Sequence, residues 1–252
     1  MRYRARCEYD GTDLAGFQLQ LNARTVQGEL EAALARLNRG ERVVVEGAGR
    51  TDTGVHATGQ VIAFTYGGTV TERALGRAIN SLLPPDIAIR DLRRAPDGFN
   101  PRYAARYREY RYTVWNGPRS PLRERTSLGV RTPLDIAAMA GAASVYLGRH
   151  DFSAFGGTDR PTVRTIYMVR VRKDGRLVTI DVRANSFLRG QVRRMVAGLL
   201  EVGLGKIDAT ALAAALATAG PALNGAAAPA KGLCLRHVAL GRRPVDDKED
   251  EE

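Results

Sequence analysis

A short glycine-rich segment holds the residues of this chain that are best suited to chemistry. It covers residues 47–56 and reads Gly-Ala-Gly-Arg-Thr-Asp-Thr-Gly-Val-His. Its one carboxylate, Asp52, stands two residues from Arg50, and a nearby guanidinium keeps a carboxylate ionised at neutral pH. An ionised carboxylate can act as a nucleophile or a general base. A lone aspartate in such a loop is also a common turn residue that accepts backbone N–H groups, so the loop alone leaves that alternative open.

The spacing of this segment disfavours three other kinds of site. A dinucleotide-binding Gly-x-Gly-x-x-Gly pattern requires glycine at position 52, where the carboxylate of Asp52 would repel a pyrophosphate. A Walker loop ends in Gly-Lys-Ser/Thr, whereas Gly54 is followed by Val55. A magnesium nuclease needs several neighbouring carboxylates, and Glu46 and Asp52 are the only acids between residues 42 and 71.

The net charge favours a polyanionic partner. The 252 residues carry a formal charge of +11, and the last seven contribute −5 from six acids and one lysine, which leaves about +16 on residues 1–245. A protein that neutralises phosphates releases condensed counterions, and this release drives binding. Nucleic acid is therefore the first partner to test.

Cysteine, histidine and apolar residues limit the remaining possibilities. Cys7 and Cys234 lie far apart in apolar segments, which is typical of reduced, buried thiols. Three histidines with no Cys-x-x-Cys or His-Glu-x-x-His pattern predict no metal site. No apolar run approaches eighteen residues, so we expect no membrane helix and a cytoplasmic protein.

Periodicity predicts two α+β halves. Alternating or apolar runs predict strands over residues 2–9, 42–46, 60–66, 87–92, 106–116, 166–173, 176–183 and 233–240. Helical spacing predicts helices behind Thr25 and over residues 71–83, 134–146, 187–202 and 208–219. Asp174-Gly175 marks the clearest hairpin turn. We expect mainly antiparallel sheets with helices on one face, in halves covering residues 1–100 and 101–240, followed by a polar acidic tail over residues 241–252.

The whole pattern resembles the TruA family of tRNA pseudouridine synthases. Residues 47–56 resemble that family's signature loop, and further similar segments follow in family order from residue 3 to about residue 240. These segments are Tyr9-Asp10-Gly11, Gly16-Phe17-Gln18, Thr25-Val26-Gln27, Tyr110-Arg111-Tyr112, Asp151 to Phe155, Asn185 to Arg189 with Val192-Arg193, and Lys231-Gly232-Leu233. Two departures are Phe17 in place of tryptophan and Gly190-Gln191 in place of histidine and methionine.

The resemblance implies a fold, a reaction and roles for four residues. The fold is the pseudouridine synthase fold, in which the two halves flank a basic central cleft. Asp52 is the catalytic nucleophile or base, Arg50 helps to hold the displaced nucleotide, Tyr110 lies against the uracil, and Arg193 pairs with Asp52. The substrate is tRNA at the 3′ side of the anticodon stem-loop (positions 38 to 40), the enzyme is a homodimer, and the isomerisation requires no cofactor and no metal.

Local patterns support two of these roles. Tyr110, Tyr112 and Val114 share one face of an alternating strand, so an aromatic platform with Arg106, Arg108 and Arg111 around it is expected. The predicted helix places Arg193 among apolar residues, where an arginine needs a carboxylate partner.

The reaction and the function class stay open at two points. Asp52 either attacks C1′ of the ribose, as in a retaining glycosidase, or removes the C2′ proton. A non-catalytic tRNA-binding protein or RNA chaperone, and more remotely a metallonuclease, would share the basic composition. The non-catalytic protein would keep the fold but have no need of Asp52, and the nuclease would lose activity with a chelator.

Overall fold

Alternating strands and short amphipathic helices build the protein, as seen in a computed structural model. The structure describes residues 1–156, 161–218 and 226–241. The strands are β1 (Arg2–Tyr9), β2 (Val45–Gly47), β3 (His56–Thr65), β4 (Ile87–Arg94), β5 (Ala105–Asn116), β6 (Leu128–Val130), β7 (Gly148–Asp151), β8 (Val163–Asp174), β9 (Leu177–Ala184) and β10 (Leu233–Leu240). The α-helices are α1 (Val26–Leu37), α2 (Glu72–Leu82), α3 (Ile136–Ala142), α4 (Gln191–Gly203) and α5 (Ala209–Ala217).

The first compact unit comprises Met1–Arg106 and the end of β10 from Leu235. Its strands follow the order β4-β1-β3-β10, with β2 beside β3, and β1 pairs antiparallel with both of its neighbours. Every second residue of β1 is buried while the residues between them are more exposed, so one face of the sheet forms the core. Helices α1 and α2 pack against each other and against β2 and β4, respectively.

The second compact unit comprises Tyr107–Cys234. Strands β5, β9, β8 and β7 follow one another in antiparallel order, and β6 adds a short parallel pairing beside β5. Helix α3 contacts α4, α5 and β8. The α+β fold class with mainly antiparallel sheets is confirmed, whereas the predicted domain limits of residues 1–100 and 101–240 stay predictions.

Most predicted elements are present, and the differences at their ends have local causes. Strand β2 begins only at Val45, and the buried Glu31 carboxylate accepts the Val45 N–H (3.0 Å) and pairs with Arg42 just before the strand. The hairpin turn consists of Gly175 and Arg176, since Asp174 already pairs with Leu177.

The predicted and observed helices also agree, with differences only at their ends. Thr25, Thr71 and Asp208 cap α1, α2 and α5, each accepting a backbone N–H near the start of its helix. The helix expected over residues 134–146 is α3 followed by a 3-10 turn. The helix expected from residue 187 begins at Gln191, because Gly190 adopts a φ of +72° that interrupts helical geometry.

Three further expectations concern the thiols, the membrane and the tail. Cys7 and Cys234 form no disulfide; Cys7 is buried as expected, and burial raises its pKa, whereas Cys234 is partly exposed. Among the described residues, no helix is long and apolar enough to cross a membrane. The acidic tail lies outside the described residues from position 242 onward.

Candidate active site

The segment that carries Asp52 is a loop between β2 and β3 whose main chain is held by the segment after β1. The Phe17 N–H donates to the Thr51 carbonyl (3.1 Å), and the Gly54 N–H donates to the Leu14 carbonyl (3.2 Å). These two bonds hold the backbone on either side of Asp52. Residues 11–17, predicted only as a family motif, therefore support the candidate catalytic residue directly.

Glycines allow this close approach of two chain segments. A Cβ on Gly16, whose φ is +92°, would lie 2.6 Å from the Thr51 carbonyl oxygen. A Cβ on Gly11 would lie 2.0 Å from the Val55 carbonyl oxygen, and one on Gly47 would lie 2.4 Å from the Phe17 ring. Real Cβ atoms do not approach so closely, so larger residues would displace the loop.

Two buried polar contacts add to the support of the loop. The hydroxyls of Tyr9 and Thr51 share a hydrogen bond of 2.8 Å. His56 is only 7% exposed, and its Nδ1 accepts the Gly11 N–H at 3.0 Å. The same Nδ1 lies 3.1 Å from a carboxylate oxygen of Asp10, so the ring contacts both residues of the turn after β1. His56 therefore acts here as a structural anchor.

Asp52 and Arg50 lie on the same loop of the first unit. The turn after Asp52 is closed by main-chain atoms, since the Val55 N–H donates to the Asp52 carbonyl at 3.1 Å, and Gly54 takes a φ of +78°. The Asp52 residue is partly exposed and Arg50 is exposed. A fixed backbone with accessible charged side chains suits groups that must contact a substrate.

Tyr110 lies in the second unit on β5, where it is 8% exposed. Its ring packs edge-on against Phe187, with centroids 5.3 Å apart. Tyr110, Tyr112 and Val114 share the buried face of β5, as predicted. Burial raises the pKa of the Tyr112 phenol, whose hydroxyl donates to the Pro229 carbonyl (2.8 Å).

The predicted ring of arginines around Tyr110 needs correction. Arg111 lies on the opposite face of β5, where it forms two hydrogen bonds with Asp181 (2.7 and 3.0 Å) that raise the pKa of Arg111. Arg108 shares the face of Tyr110 and is buried, and its guanidinium donates to the Asn185 carbonyl (2.8 Å). Arg108 thus supports the segment before α4. Even spacing from Tyr110 was the signal in the sequence, but Arg106 shares this spacing and is exposed, so burial had to come from the structure.

Arg193 also lies in the second unit, in the first turn of α4. Its Nε donates to the Ala228 carbonyl (2.7 Å), and the Ala228 N–H donates to the Arg193 carbonyl (3.0 Å). These reciprocal bonds fix the direction of the side chain. Asp52 and Arg50 belong to one compact unit and Tyr110 and Arg193 to the other, so the pairing of Arg193 with Asp52 stays a prediction.

Comparison with known proteins extends these observations to most of the chain. The profile of a family described as tRNA pseudouridine synthase matches residues 5–104 and 142–239. The chain belongs to the tRNA pseudouridine synthase family. It is therefore an isomerase of uridine in tRNA, and the predicted family membership is confirmed.

Relatives of this tRNA pseudouridine synthase cover nearly its full length. Proteins named tRNA pseudouridine synthase A from Geotalea uraniireducens and Geobacter sulfurreducens are 46% and 45% identical, each across 92% of this chain and 96% of their own. One of the same name from Ruminiclostridium cellulolyticum is 41% identical across 94% of this chain and 98% of its own.

Some residues that support the Asp52 loop of the synthase were not identified from the sequence. Tyr9, Gly11 and Gly16 were recognised as parts of a motif, but their contacts with the loop at residues 51–56 were not predicted. The signal was the presence of two glycines close after a buried tyrosine, a pattern that permits close backbone approach. Among the described residues of the synthase, no group of three His, Cys, Asp or Glu side chains is arranged to hold a metal ion.

Proposed function

We propose that this synthase converts uridine to pseudouridine in the anticodon stem-loop of tRNA, with Asp52 as its catalytic nucleophile or base. The observation that carries the proposal is that Phe17 and Leu14 hold the backbone on either side of Asp52, while Asp52 itself is partly exposed. A carboxylate with a fixed backbone can meet a reacting atom at constant geometry.

The reaction rearranges bonds within one nucleotide. The bond between N1 of uracil and C1′ of the ribose breaks, the uracil turns, a bond between C5 and C1′ forms, and the C5 proton is released while N1 gains one. Asp52 either attacks C1′, giving an ester intermediate, or removes the C2′ proton, giving a glycal. Both routes balance without a redox step, so the proposal includes no cofactor and no metal.

We assign the other three candidate residues to substrate binding. Arg50, exposed on the Asp52 loop, takes the place of the flipped nucleotide and offsets part of the few kcal/mol that unstacking requires. Tyr110, positioned by Phe187, packs against the uracil ring. Arg193, whose direction is set by Ala228, pairs with the Asp52 carboxylate.

The remaining parts of the proposal concern the assembly. We propose a homodimer in the cytoplasm that recognises tRNA mainly through backbone shape and charge, in a basic cleft. Light scattering of the purified protein, alone and with tRNA, tests the dimer. A monomeric mass at the concentrations that give full activity would contradict it.

The central prediction concerns Asp52→Asn. We expect this isosteric change to reduce pseudouridine formation in a tRNA transcript by at least about a thousandfold, because it removes the reactive charge, while tRNA binding stays within about twofold. Release of tritium from uracil C5 measures the reaction, and filter binding measures affinity. Asp97→Asn, at an exposed position of the same unit, is the matched control and should retain full activity.

The outcomes separate this function from its rivals. Normal tritium release by Asp52→Asn would contradict the assigned role. Binding of tRNA without any release by the wild type would favour an RNA chaperone, and loss of activity with EDTA would favour a metal-dependent enzyme.

A further inference from the structure

A basic cavity lies within the second unit at the end of β5. Its volume is about 210 Å³, and most of its wall comes from the segment between the two ranges that the family profile matches. We call it the Trp115 pocket, and its charged or aromatic lining residues are Trp115, Arg119, Arg123, Glu124, Arg131 and Lys231. Four cationic side chains thus face one carboxylate across a small volume.

The main chain around the Trp115 pocket is held on both sides. Strand β6 pairs with β5 so that Trp115 lies opposite Gly129, and the Gly117 N–H donates to the Val130 carbonyl (2.9 Å). The Asn116 side chain donates to the carbonyls of Val130 (3.0 Å) and Thr132 (2.7 Å). Hydrogen bonds therefore join the two ends of the segment between residues 116 and 132, which forms most of the pocket wall.

Trp115 positions one of the arginines. Its indole N–H donates to the Pro118 carbonyl (2.8 Å), which fixes the ring. The Arg123 guanidinium lies 5.7 Å from the ring centroid, within the range of a cation–π contact. The Ser127 hydroxyl donates to the Arg123 carbonyl (2.7 Å), so both the backbone and the side chain of Arg123 are oriented.

Lys231 comes to the pocket from a distant part of the chain. A Cβ on Gly232 would lie 2.5 Å from the Tyr112 ring, so the chain passes tightly over β5 at this point. Lys231 forms an ion pair with Glu124, and this hydrogen bond lowers the pKa of the Glu124 carboxyl. Within the part of the chain that the structure describes, no carboxylate forms an ion pair with Arg119 or Arg131.

We propose that the Trp115 pocket is a second RNA-contact site, which binds phosphates of the tRNA backbone outside the reacting uridine. Arg119 and Arg131 provide the principal contacts, Arg123 presents its guanidinium edge from the face of Trp115, and Lys231 adds a point charge. Guanidinium groups match the geometry of phosphate oxygens with paired hydrogen bonds. This inference rests on the proposed function for the identity of the RNA.

Size and position favour a polymer over a free metabolite. Pockets for drug-sized ligands have volumes of about 300–1,000 Å³, so the Trp115 pocket is too small to enclose one. A phosphodiester backbone crossing the pocket needs only the phosphates to enter. Trp115 lies five residues along β5 from Tyr110, or about 16 Å at roughly 3.3 Å per residue. Because this spacing is odd, Trp115 is on the opposite face of β5, so RNA bound at the pocket belongs to a part of the tRNA distant from the nucleotide at Tyr110.

The first test removes charge from the pocket. We expect Arg119→Gln combined with Arg131→Gln to raise the KM for a tRNA transcript and its Kd by roughly tenfold, with kcat within about twofold. The slope of log Kd against log salt should fall by about 1.5, since each phosphate contact contributes about 0.7–0.9. Arg170→Gln with Arg172→Gln, exposed on β8, removes the same charge from the same unit as a control.

The second test uses Trp115, the only tryptophan in the chain. Titration of the wild type with tRNA should change tryptophan emission in a saturable way, because phosphates approach the Arg123 guanidinium. Inorganic phosphate and polyglutamate at equal charge concentration should produce less than about a tenth of that change. A larger response to polyglutamate than to tRNA would overturn the RNA assignment in favour of an acidic protein partner.

The outcomes distinguish this inference from the proposed function. If the wild type forms pseudouridine but the pocket variant matches the β8 control in KM, Kd and salt slope, the pocket does not bind RNA. If the wild type forms no pseudouridine, the proposed function fails, whereas a difference in Kd between the two double variants still supports the pocket. Unchanged thermal unfolding of both double variants excludes a folding defect as the cause.

Discussion

At the scale of single residues, the candidate catalytic loop depends on glycines outside it. Gly16 has a φ of +92° and places its Cα where a methyl group would meet the Thr51 carbonyl. The Phe17 N–H then reaches that same carbonyl at 3.1 Å. One small residue therefore decides whether the segment after β1 can hold the backbone beside Asp52.

Gly16→Ala tests this support. The substitution combines an unfavourable φ with a steric contact, so we expect a loss of about 2–4 kcal/mol in the free energy of unfolding. Pseudouridine formation should also fall by about tenfold or more in the fraction that remains folded, because Asp52 shifts with its loop. Urea unfolding and single-turnover tritium release measure the two effects.

Gly98→Ala is the matched control for this prediction. Gly98 has a φ of +75°, but no atom lies within 4 Å of an added Cβ. Its substitution should cost only about 1 kcal/mol of stability and leave the rate unchanged. Equal effects at both positions would show that contact with the loop is unimportant.

At the scale of elements, the start of α4 shows how one residue moves a helix boundary. Arg193 lies in the first turn of α4, and its direction depends on where the helix begins. Gly190 precedes the helix in the left-handed region, and the buried Gln191 side chain accepts the Leu188 N–H at 2.8 Å. The departure from the family pattern at Gly190 therefore belongs to a sharp turn that leads into the helix.

Gly190→Ala should destabilise the protein. We expect a loss of about 1 kcal/mol from the positive φ, because the nearby Arg194 guanidinium, 2.8 Å from an added Cβ, can move away. Gly141→Ala, in α3 with open space around it, should instead stabilise the protein by up to about 1 kcal/mol. Urea unfolding of both variants measures the contrast, and effects of the same sign would contradict this account of the helix start.

At the scale of the whole molecule, charge serves both binding and stability. In the proposed function the excess of arginine attracts RNA, but many of these arginines also pair with acids inside each unit. Arg24 is an example, since it forms two hydrogen bonds of 2.7 Å with Asp86 and so joins the entry to α1 with the entry to β4. The guanidinium of Arg24 lowers the pKa of the Asp86 carboxyl.

This pair predicts a pH-dependent contribution to stability. Because the Asp86 pKa is lower in the folded state than in the unfolded chain, the contribution is present above about pH 4 and is lost as the pH falls through the folded value. Arg24→Gln, which also removes the ion pair with Glu29, should therefore cost up to about 1 kcal/mol at pH 7 and clearly less near pH 2. Urea unfolding at both pH values tests this. A cost that does not change with pH would show that Arg24 acts through packing alone.

The family and the reaction were predictable from the sequence, and the family profile and relatives confirm both. The roles of Asp52, Arg50, Tyr110 and Arg193 stay predictions. The information was local, since Gly49, Arg50, Asp52 and Gly54 follow one another within one loop. Strands and helices were predictable for a similar reason, because alternation and helical spacing record which side of an element faces the core.

The tertiary structure decided the contacts between distant residues. It showed that Arg111 pairs with Asp181, that Phe17 and Leu14 hold the backbone beside Asp52, and that Lys231 completes the Trp115 pocket. Local periodicity contains no information about which strands become neighbours or in what register they pair, and those two choices determine every such contact. The sequence alone therefore predicted which residues could take part in the reaction, whereas only the packed chain determined which residues support them.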